Sequence, residues 1–564
     1  MSLPDFLKAP RSPGPLLASA LLLSLATPPF HLLFPSFVGL VPFALWVADL
    51  PGGHDGRREA LRGGYLLGLV YFGATLYWMF VALVFYTGLA VLAYALTVLI
   101  LSALLALATL AMHETRTRLG WPLWAVLAVF WTAMEWTRAH MGDVSFPWIG
   151  LGDTLTGFPW LIGVADVVGS RGVSLWLLLV NGMAAELVRR KGAGRLPRGL
   201  AGAGLVPRSL TRGPDPGAGP GDPATGRPGT AWRLLLALAL LLAVPAGYSL
   251  HRWHGLELAS AARVGVVQPD VPEDVKMDRT AAVDSALRSS ANLVETRLAA
   301  EVDRLDLIVL PETVFPVYPE PLPEVGGSGR PDLRRWVGEV ARRFDARVAF
   351  GALGCDLRED GGCRPYNSAF LADGSGRYLD RYDKRHLVPV VERVPFVDPD
   401  GLAGLTYFGG FAQGERLPVL QASNGAGFGV LICYESIFPR AARAYRNAGA
   451  DFLVNMTNDA WFGRDEPWWS RTTALWQHPA HLVMRAVENR VGIARSANTG
   501  ISLVIDPLGR ITHETDLFAP AAFPARVLTT DERTLYTRFG DLAGWGAALL
   551  GLGAIAALLA RGRP

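Results

Sequence analysis

Phe428-Gly429-Val430-Leu431-Ile432-Cys433-Tyr434-Glu435 is an apolar run, rich in branched residues, that ends in a thiol with a carboxylate two residues on. Such a run reads as a buried strand. A thiol at the end of a core strand is held rigidly while its sulfur faces a cleft. Two other segments end in the same way. Leu305-Asp306-Leu307-Ile308-Val309-Leu310-Pro311-Glu312 delivers a carboxylate, and Arg381-Tyr382-Asp383-Lys384-Arg385-His386 delivers an amine.

Around these segments, strand-like runs recur at Val264–Gln268, Leu307–Leu310, Val348–Leu353, Ser368–Leu371, Phe428–Cys433, Phe452–Met456, Gly492–Ser496 and Ile501–Ile505. Helix-like stretches separate several of them: Ala281–Leu305, Leu333–Phe344, Pro439–Ala448 and Thr472–Arg490. This alternation predicts an α/β sandwich. Asp373-Gly374-Ser375-Gly376 and Asp506-Pro507-Leu508-Gly509 read as hairpin turns.

The chain has 564 residues, enough for about three or four average domains. Its 51% hydrophobic and 18% charged composition is apolar for a soluble protein. A net charge of +3 gives no nucleic-acid signature. Three cysteines, Cys355, Cys363 and Cys433, exclude a disulfide scaffold and a cysteine-rich zinc module. Cys355 and Cys363 bracket a polar loop, and spacing alone leaves their pairing open. His478 and His481 are three apart on a helix-like stretch, but no third ligand of suitable spacing joins them, so no metal is expected.

Eight segments approach the roughly 20 apolar residues that a membrane-spanning helix needs. They lie near 14–31, 34–50, 63–84, 86–111, 121–138, 172–188, 232–249 and 541–560. The first is preceded by Lys8 and Arg11 but is followed at once by another apolar stretch, so it reads as an uncleaved anchor. Arginines cluster after the second segment (Arg57, Arg58, Arg62), the fourth (Arg116, Arg118), the sixth (Arg189, Arg190 and beyond) and the eighth (Arg561, Arg563). The positive-inside rule puts these loops and both termini in the cytoplasm, and the segment of about 250–540 outside. The Gly-, Pro- and Arg-rich stretch near 191–231 reads as a disordered cytoplasmic linker. Glu135 and Arg138 end the fifth segment one turn apart, and charges at membrane depth face a cavity or a partner.

A thiol is a weak nucleophile until it loses its proton. Glu312 is placed to take that proton, and Lys384 to stabilise an oxyanion. Only four of the 53 basic residues are lysines, Lys8, Lys191, Lys276 and Lys384. Lys384 sits between arginines in a segment that needs no further cation, and its compact, tunable ammonium differs from guanidinium. Taken singly, each of these residues reads as structural; together they read as acyl-transfer chemistry.

Residues 250–520 resemble the nitrilase superfamily, and the chain as a whole is similar to the bacterial apolipoprotein N-acyltransferase family. The matching stretches are Pro311-Glu312; Tyr382-Asp383-Lys384 with Pro389 and Glu392-Arg393-Val394-Pro395-Phe396; Cys433-Tyr434-Glu435; Asn455-Met456-Thr457-Asn458-Asp459-Ala460-Trp461-Phe462; and Glu135-Trp136 through Phe146-Pro147-Trp148. The resemblance implies a membrane α-helical bundle of about eight transmembrane helices plus an extracytoplasmic α/β nitrilase-like domain, a four-layer α-β-β-α sandwich. The domains would be 1–249 with seven helices, 250–540 catalytic, and 541–564 a last helix and tail. It also implies Glu312, Lys384 and Cys433 as a catalytic triad without cofactor or metal, supported by Glu392, Tyr434 and Glu435. Trp461, Phe462 and Trp148 would meet substrate.

The implied reaction moves an acyl chain from a phospholipid, typically phosphatidylethanolamine, through a cysteine thioester to the α-amine of a diacylglyceryl apolipoprotein. The implied setting is the bacterial inner membrane, with the protein a monomer. One departure stands out. The family's Gln-Gly-Asn is Gln268-Pro269-Asp270 here, with Met277 near the position of a family tryptophan, so that aromatic stacking is lost. A membrane-tethered amidase or nitrile hydrolase would use the same triad with water as second nucleophile. A transporter would need polar groups at its helix centres, which most of these segments lack.

Overall fold

The computed structural model describes residues 10–84, 90–192, 231–272, 275, 279–321, 329–359, 362–396 and 410–562. Nearly all of the linker near 191–231, and Met277, fall outside the described residues. The chain divides into two compact units. One comprises Met1–His140, Phe146–His254 and Asp541–Pro564; the other, Met141–Ser145 and Gly255–Gly540.

The first unit is helical. Among the described residues, four helices are long and apolar enough to cross a membrane: Ala90–Leu119, Ala165–Arg190, Trp232–Gly255 and Leu542–Ala560. A fifth span forms if Gly53–Leu76 and Trp78–Val84, bent by 50°, count as one. The other three apolar segments are helical but shorter. The first, Gly14–Ala26, stops just before Thr27 and Pro28-Pro29, where the ring of proline ends the ladder. The second is split into Leu33–Val38 and Val41–Ala48, the latter carrying Pro42 in its first turn, where a missing N–H costs nothing. The third is Leu123–Arg138, of 16 residues. Close packing depends on small residues. A Cβ on Gly68 would lie 2.6 Å from the Ser102 backbone, so the two helices approach there only because the side chain is absent. Glu135 accepts from Trp131 Nε1 at 3.1 Å and from the Leu151 N–H at 2.8 Å, while Arg138 donates to the Ile149 carbonyl. Both charges are thus spent within the unit.

The second unit contains two six-stranded sheets. We number the strands β1 (Ala259–Gln268), β2 (Leu307–Val309), β3 (Arg347–Leu357), β4 (Cys363–Ala372), β5 (Tyr378–Asp383), β6 (Leu420–Gln421), β7 (Gly427–Ile432), β8 (Phe452–Thr457), β9 (Gly492–Ala497), β10 (Leu503–Ile505), β11 (Ile511–Glu514) and β12 (Ala521–Thr529). The orders are β12-β1-β2-β3-β4-β5 and β11-β10-β9-β8-β7-β6. Each sheet has three parallel central strands, β1–β2–β3 and β7–β8–β9, flanked by antiparallel ones. The parallel strands are buried on both faces, which explains their continuous apolar runs.

Helices Arg279–Leu293 and Pro331–Phe344 cover the first sheet, sharing a core in which Val283, Ala286, Val337 and Phe344 meet Ile308, Val348 and Phe350. Helices Pro439–Asn447 and Ala474–Asn489 pack on the second sheet. The two sheets face one another, tied by Ser496 Oγ donating to the Val267 carbonyl at 2.7 Å. The layers therefore run helix, sheet, sheet, helix, as expected.

Both expected hairpin turns join strands, β4 to β5 and β10 to β11. β12 lies outside the expected strand-like runs and holds Pro524. It is an edge strand, where proline's missing N–H breaks no inner ladder. Cys355 and Cys363 are disulfide-bonded across the β3–β4 hairpin, with Cα atoms 5.6 Å apart.

Candidate active site

Ligands bind beyond the carboxyl ends of parallel strands, where neighbouring chains leave a crevice. Two of the three chemistry-bearing residues of the sequence sit at such ends in the second unit, and the third follows a strand that pairs antiparallel with its neighbour. Glu312 follows β2, Lys384 follows β5 and Cys433 follows β7. Glu312 is delivered by a turn that crowds β3. A Cβ on Gly351 would lie 2.5 Å from the Pro311 carbonyl, so only glycine lets the strand pass.

Cys433 adopts a left-handed φ of 49°, which non-glycine residues rarely take. Such a conformation costs about 1–3 kcal/mol and persists only where the surroundings over-determine it. Here the surroundings are identifiable. The chain turns from β7 into a 3-10 turn, Cys433–Ile437, and Glu435 reaches back to accept the Ile432 N–H at 2.8 Å. The other Glu435 oxygen accepts from Tyr382 Oη at 2.7 Å, the Arg385 N–H at 2.8 Å and the His386 N–H at 3.1 Å. One fully buried carboxylate therefore ties the cysteine turn to the lysine segment. Burial opposes its charge, but the His386 contact and these hydrogen bonds hold its carboxyl below the usual range.

Lys384 is buried, and its Nζ donates to Glu312 Oε1 at 3.1 Å and Glu392 Oε1 at 2.9 Å. Burial alone would lower its proton affinity; the two carboxylates outweigh that and hold the ammonium well above its ordinary range. Asn367, on β4, donates through Nδ2 to both Glu312 Oε1 and Glu392 Oε1, each at 2.8 Å. Glu312 Oε2 accepts the Asn458 N–H at 2.9 Å, and Glu392 Oε2 accepts the Val388 N–H at 2.8 Å. Two carboxylates, one ammonium and one amide thus share a single buried network.

The Cys433 thiol lies within the field of this network. Burial pushes its proton affinity far up; the Glu312 charge adds to that, and the Lys384 charge opposes it. Burial and the Glu312 charge thus favour the thiol over a standing thiolate at rest. This carries a prediction. A thiol so raised stays protonated through the range in which an ordinary cysteine, near about 8.5, ionises. Cys433 is the free cysteine of the chain, so alkylation by iodoacetamide reports on it alone. The rate should still be climbing at pH 9.5, and at pH 8 should be at least about tenfold below that of free cysteine. A plateau below pH 8 would mean a standing thiolate and overturn this picture.

Behind the turn lies a second buried network. Asp459 accepts from Thr457 Oγ1 at 2.8 Å, meets His478 Nδ1 at 3.0 Å and pairs with Arg495. The far nitrogen of His478 lies 2.9 Å from Ser436 Oγ and 3.1 Å from the Cys433 carbonyl. Asp459 and Arg495 are fully buried. Burial opposes the Asp459 charge, but Arg495 and His478 hold its carboxyl down to about 2. Removing one partner of such a pair leaves an uncompensated buried charge, costing about 3–5 kcal/mol. Asp459→Ala should accordingly melt at a markedly lower temperature in detergent than the parent protein; an unchanged melting profile would mean the pair does not hold this end of the sheet.

His478 thus has a definite place in that network, and no group of three or more metal-ligating side chains occurs among the described residues. Asn367, Asp459, His478 and Arg495 carry no site role in the sequence reading. The hints of them in the sequence are an asparagine beside a strand-like run, the Asn458-Asp459 pair at the end of β8 and the His478–His481 spacing.

The other expected site residues are more dispersed. Tyr434 donates to the Ser145 carbonyl at 2.9 Å and packs edge-on against Phe438. Phe462 is buried edge-on against the His478 ring, and Trp461 beside it is half-buried. Trp468 and Trp469, by contrast, are exposed, at 79% and 47%. Trp148 belongs to the helical unit, where it is buried against Trp78 and Phe146. Gln268 accepts from Ser502 and Thr515 and donates to the Asp516 and Ala519 carbonyls, a structural role. Burial, with a contribution from the Asp465 charge, raises the Asp270 carboxyl to about 6.

A two-sheet sandwich with a cysteine, a glutamate and a lysine at its strand ends, joined in one chain to a bundle of apolar helices, defines a member of the nitrilase superfamily that carries an apolar helical unit. The family model for carbon-nitrogen hydrolases matches residues 263–527, and that for the apolipoprotein N-acyltransferase N-terminal domain matches residues 19–183. An apolipoprotein N-acyltransferase of Geobacter metallireducens is 31% identical, over 100% of this chain and 98% of its own length. Another, of Allorhizobium ampelinum, is 32% identical over 88% of this chain and 86% of its own. The chain belongs to the apolipoprotein N-acyltransferase family. Among solved structures, an amidase from Nesterenkonia sp. is 21% identical, covering 50% of this chain and 93% of that one, with a TM-score of 0.33.

Proposed function

We propose that this protein transfers a fatty acyl chain from a phospholipid, through a thioester on Cys433, to the α-amine of the N-terminal diacylglyceryl-cysteine of a lipoprotein. The observation that carries the site assignment is the buried Lys384 ammonium held between Glu312 and Glu392 beside the strand-end thiol.

In the first half, Cys433 Sγ attacks the ester carbonyl of the donor as its proton passes to Glu312. The high proton affinity of the thiol makes this transfer part of the attack rather than a step before it. Negative charge grows on the carbonyl oxygen, and Lys384 is the cation at hand to stabilise it. The ester C–O bond then breaks, and Glu312 returns its proton to the departing lysophospholipid oxygen. In the second half, the lipoprotein amine attacks the thioester and gives its proton to Glu312. The C–S bond breaks, and the sulfur is reprotonated. Glu392 and Asn367 hold Glu312 and Lys384 in register, and Glu435 and Tyr434 shape the turn behind the nucleophile. Trp461, Phe462 and Trp148 are assigned to substrate contact. No step requires a cofactor or metal.

The reading extends to the setting. All eight apolar segments are taken as spans, making 1–249 and 541–564 the membrane part and 250–540 the catalytic domain. The arginine bias of alternate loops supports cytoplasmic termini and a catalytic domain outside. The Cys355–Cys363 disulfide is in keeping with an oxidising compartment. Both substrates are lipid-anchored, so a site opening at the outer leaflet of the bacterial inner membrane has short access to each. Phosphatidylethanolamine is the assigned donor, and the protein acts as a monomer.

The test is the intact mass of the full-length protein after incubation with phosphatidylethanolamine alone. A fatty-acyl increment labile to hydroxylamine is expected. No increment across a range of phospholipids would overturn the lipid-donor reading.

A further inference from the structure

Asp459 and Arg495 are fully buried, and neither takes part in the proposed transfer. Together they reach the segment that carries the nucleophile at two places. Arg495 Nη1 donates to Asn455 Oδ1, and Asn455 Nδ2 donates to the Leu431 carbonyl at 2.9 Å, within β7. Asp459 holds the Nδ1 side of His478 at 3.0 Å, and Nε2 of that ring lies 3.1 Å from the Cys433 carbonyl and 2.9 Å from Ser436 Oγ. All of these residues belong to the second unit.

The carbonyl matters because of where it sits. It lies in the planar peptide unit that joins Cys433 to Tyr434. Rotation about the Cα–C bond of Cys433 swings that plane and carries the carbonyl away from His478. A nitrogen that holds the oxygen therefore holds this torsion, and with it the direction in which Cβ and Sγ leave the turn. Cys433 needs such a hold, since its φ of 49° is left-handed and persists only where surrounding groups impose it. Glu435 supplies one hold from the side of Ile432, and His478 supplies one from the other side.

The ring is itself locked. His478 is fully buried on the helix Ala474–Asn489, and Phe462 meets it edge-on with ring centroids 5.2 Å apart. A carbonyl oxygen can only accept, so the contact with Cys433 requires Nε2 to donate. The Ser436 hydroxyl, which can donate or accept, adapts to that assignment.

We propose that His478, oriented by Asp459, is a positioning residue for acyl transfer: its Nε2 holds the Cys433 carbonyl and so sets the line along which Sγ meets the acyl carbonyl. The proposal rests on Cys433 as the nucleophile and adds what aims it.

The experiment follows thioester formation by intact mass in the full-length protein in detergent, over a range of concentrations of phosphatidylethanolamine and, separately, of the p-nitrophenyl ester of the same fatty acid. His478→Asn keeps a donor near the Nδ1 position, toward Asp459, and none near Nε2. His478→Gln keeps one near Nε2, toward Cys433. His478→Asn should lower the maximal acylation rate with both donors by about tenfold or more, at an unchanged half-saturating concentration. His478→Gln and Ser436→Ala should stay within about threefold of the parent protein. Each rate is divided by the folded fraction of the same preparation, so a general loss of fold cancels. A tenfold loss in folded His478→Gln, acylation by His478→Asn as fast as by His478→Gln, or a change confined to the half-saturating concentration overturns the proposal. So does a tenfold loss in Ser436→Ala, which would route the effect of the ring through the hydroxyl. If the ester acylates the parent protein and no phospholipid does, the donor reading falls, and the ester series still decides the role of His478. An adduct that persists in Cys433→Ala brings down the nucleophile reading, and this proposal with it.

Discussion

Cys433→Ala should form no acyl adduct with phosphatidylethanolamine and should lose turnover by about 10⁴-fold or more, the scale on which a covalent nucleophile is missed. The side chain at this position projects from a left-handed turn at a strand end, and Cys433 is the free thiol of the chain. Its removal takes away only one buried sulfur, so the fold should survive. The mass spectrum and a thermal melt, taken on the same preparation, separate the two effects. An adduct of unchanged mass and hydroxylamine lability in Cys433→Ala would place the nucleophile elsewhere.

Lys384→Arg should be nearly as damaging although it keeps the charge, with the acylation rate falling by about 10²- to 10³-fold, as when an oxyanion donor is lost. The reason is shape. Nζ sits between two carboxylate oxygens at 3.1 and 2.9 Å, in a position 1% exposed. A guanidinium is larger and planar, and presents its donors as a fork. It cannot enter this space without pushing Glu312 and Glu392 apart, and overpacking of a filled site costs stability as well. Near-normal acylation by Lys384→Arg would remove the oxyanion role from this residue.

Cys433 and Glu312 were legible as candidates in the sequence because each ends an apolar run, and Lys384 because it is a rare lysine among arginines. A run of branched residues is a local signal, and the terminal polar residue is conspicuous against it. The helices of the second unit were legible for the same reason, to within a few residues at most ends. The segments of the helical unit were legible as apolar stretches, but their lengths as helices were not. Pro28-Pro29 and Pro42 cut the first two shorter than their hydropathy suggests. The sequence reading gave no strand at β12, and only its place at the sheet edge makes Pro524 within it harmless.

Asn367 looks like any strand polar residue until β4 is seen to lie between β3 and β5, which brings it to Glu312, 55 positions away, and to Glu392, 25 positions away. His478 reads as half of a histidine pair until the helix Ala474–Asn489 is laid on the second sheet, where it meets Asp459 and the Cys433 turn. Glu435 is legible as part of a motif, but not as the bridge that joins the cysteine turn to the lysine segment.

The sequence by itself marked Cys433, Glu312 and Lys384 as the candidate thiol, carboxylate and amine, and gave the alternation of strands and helices and the apolar segments, because periodicity and composition act over a few residues. Only the tertiary structure decided which groups share the buried network, how the turn at Cys433 is held, and that His478 meets the Cys433 carbonyl. Those contacts join residues tens of positions apart. The register of two sheets and the helices laid on them, rather than any local preference, sets their distances.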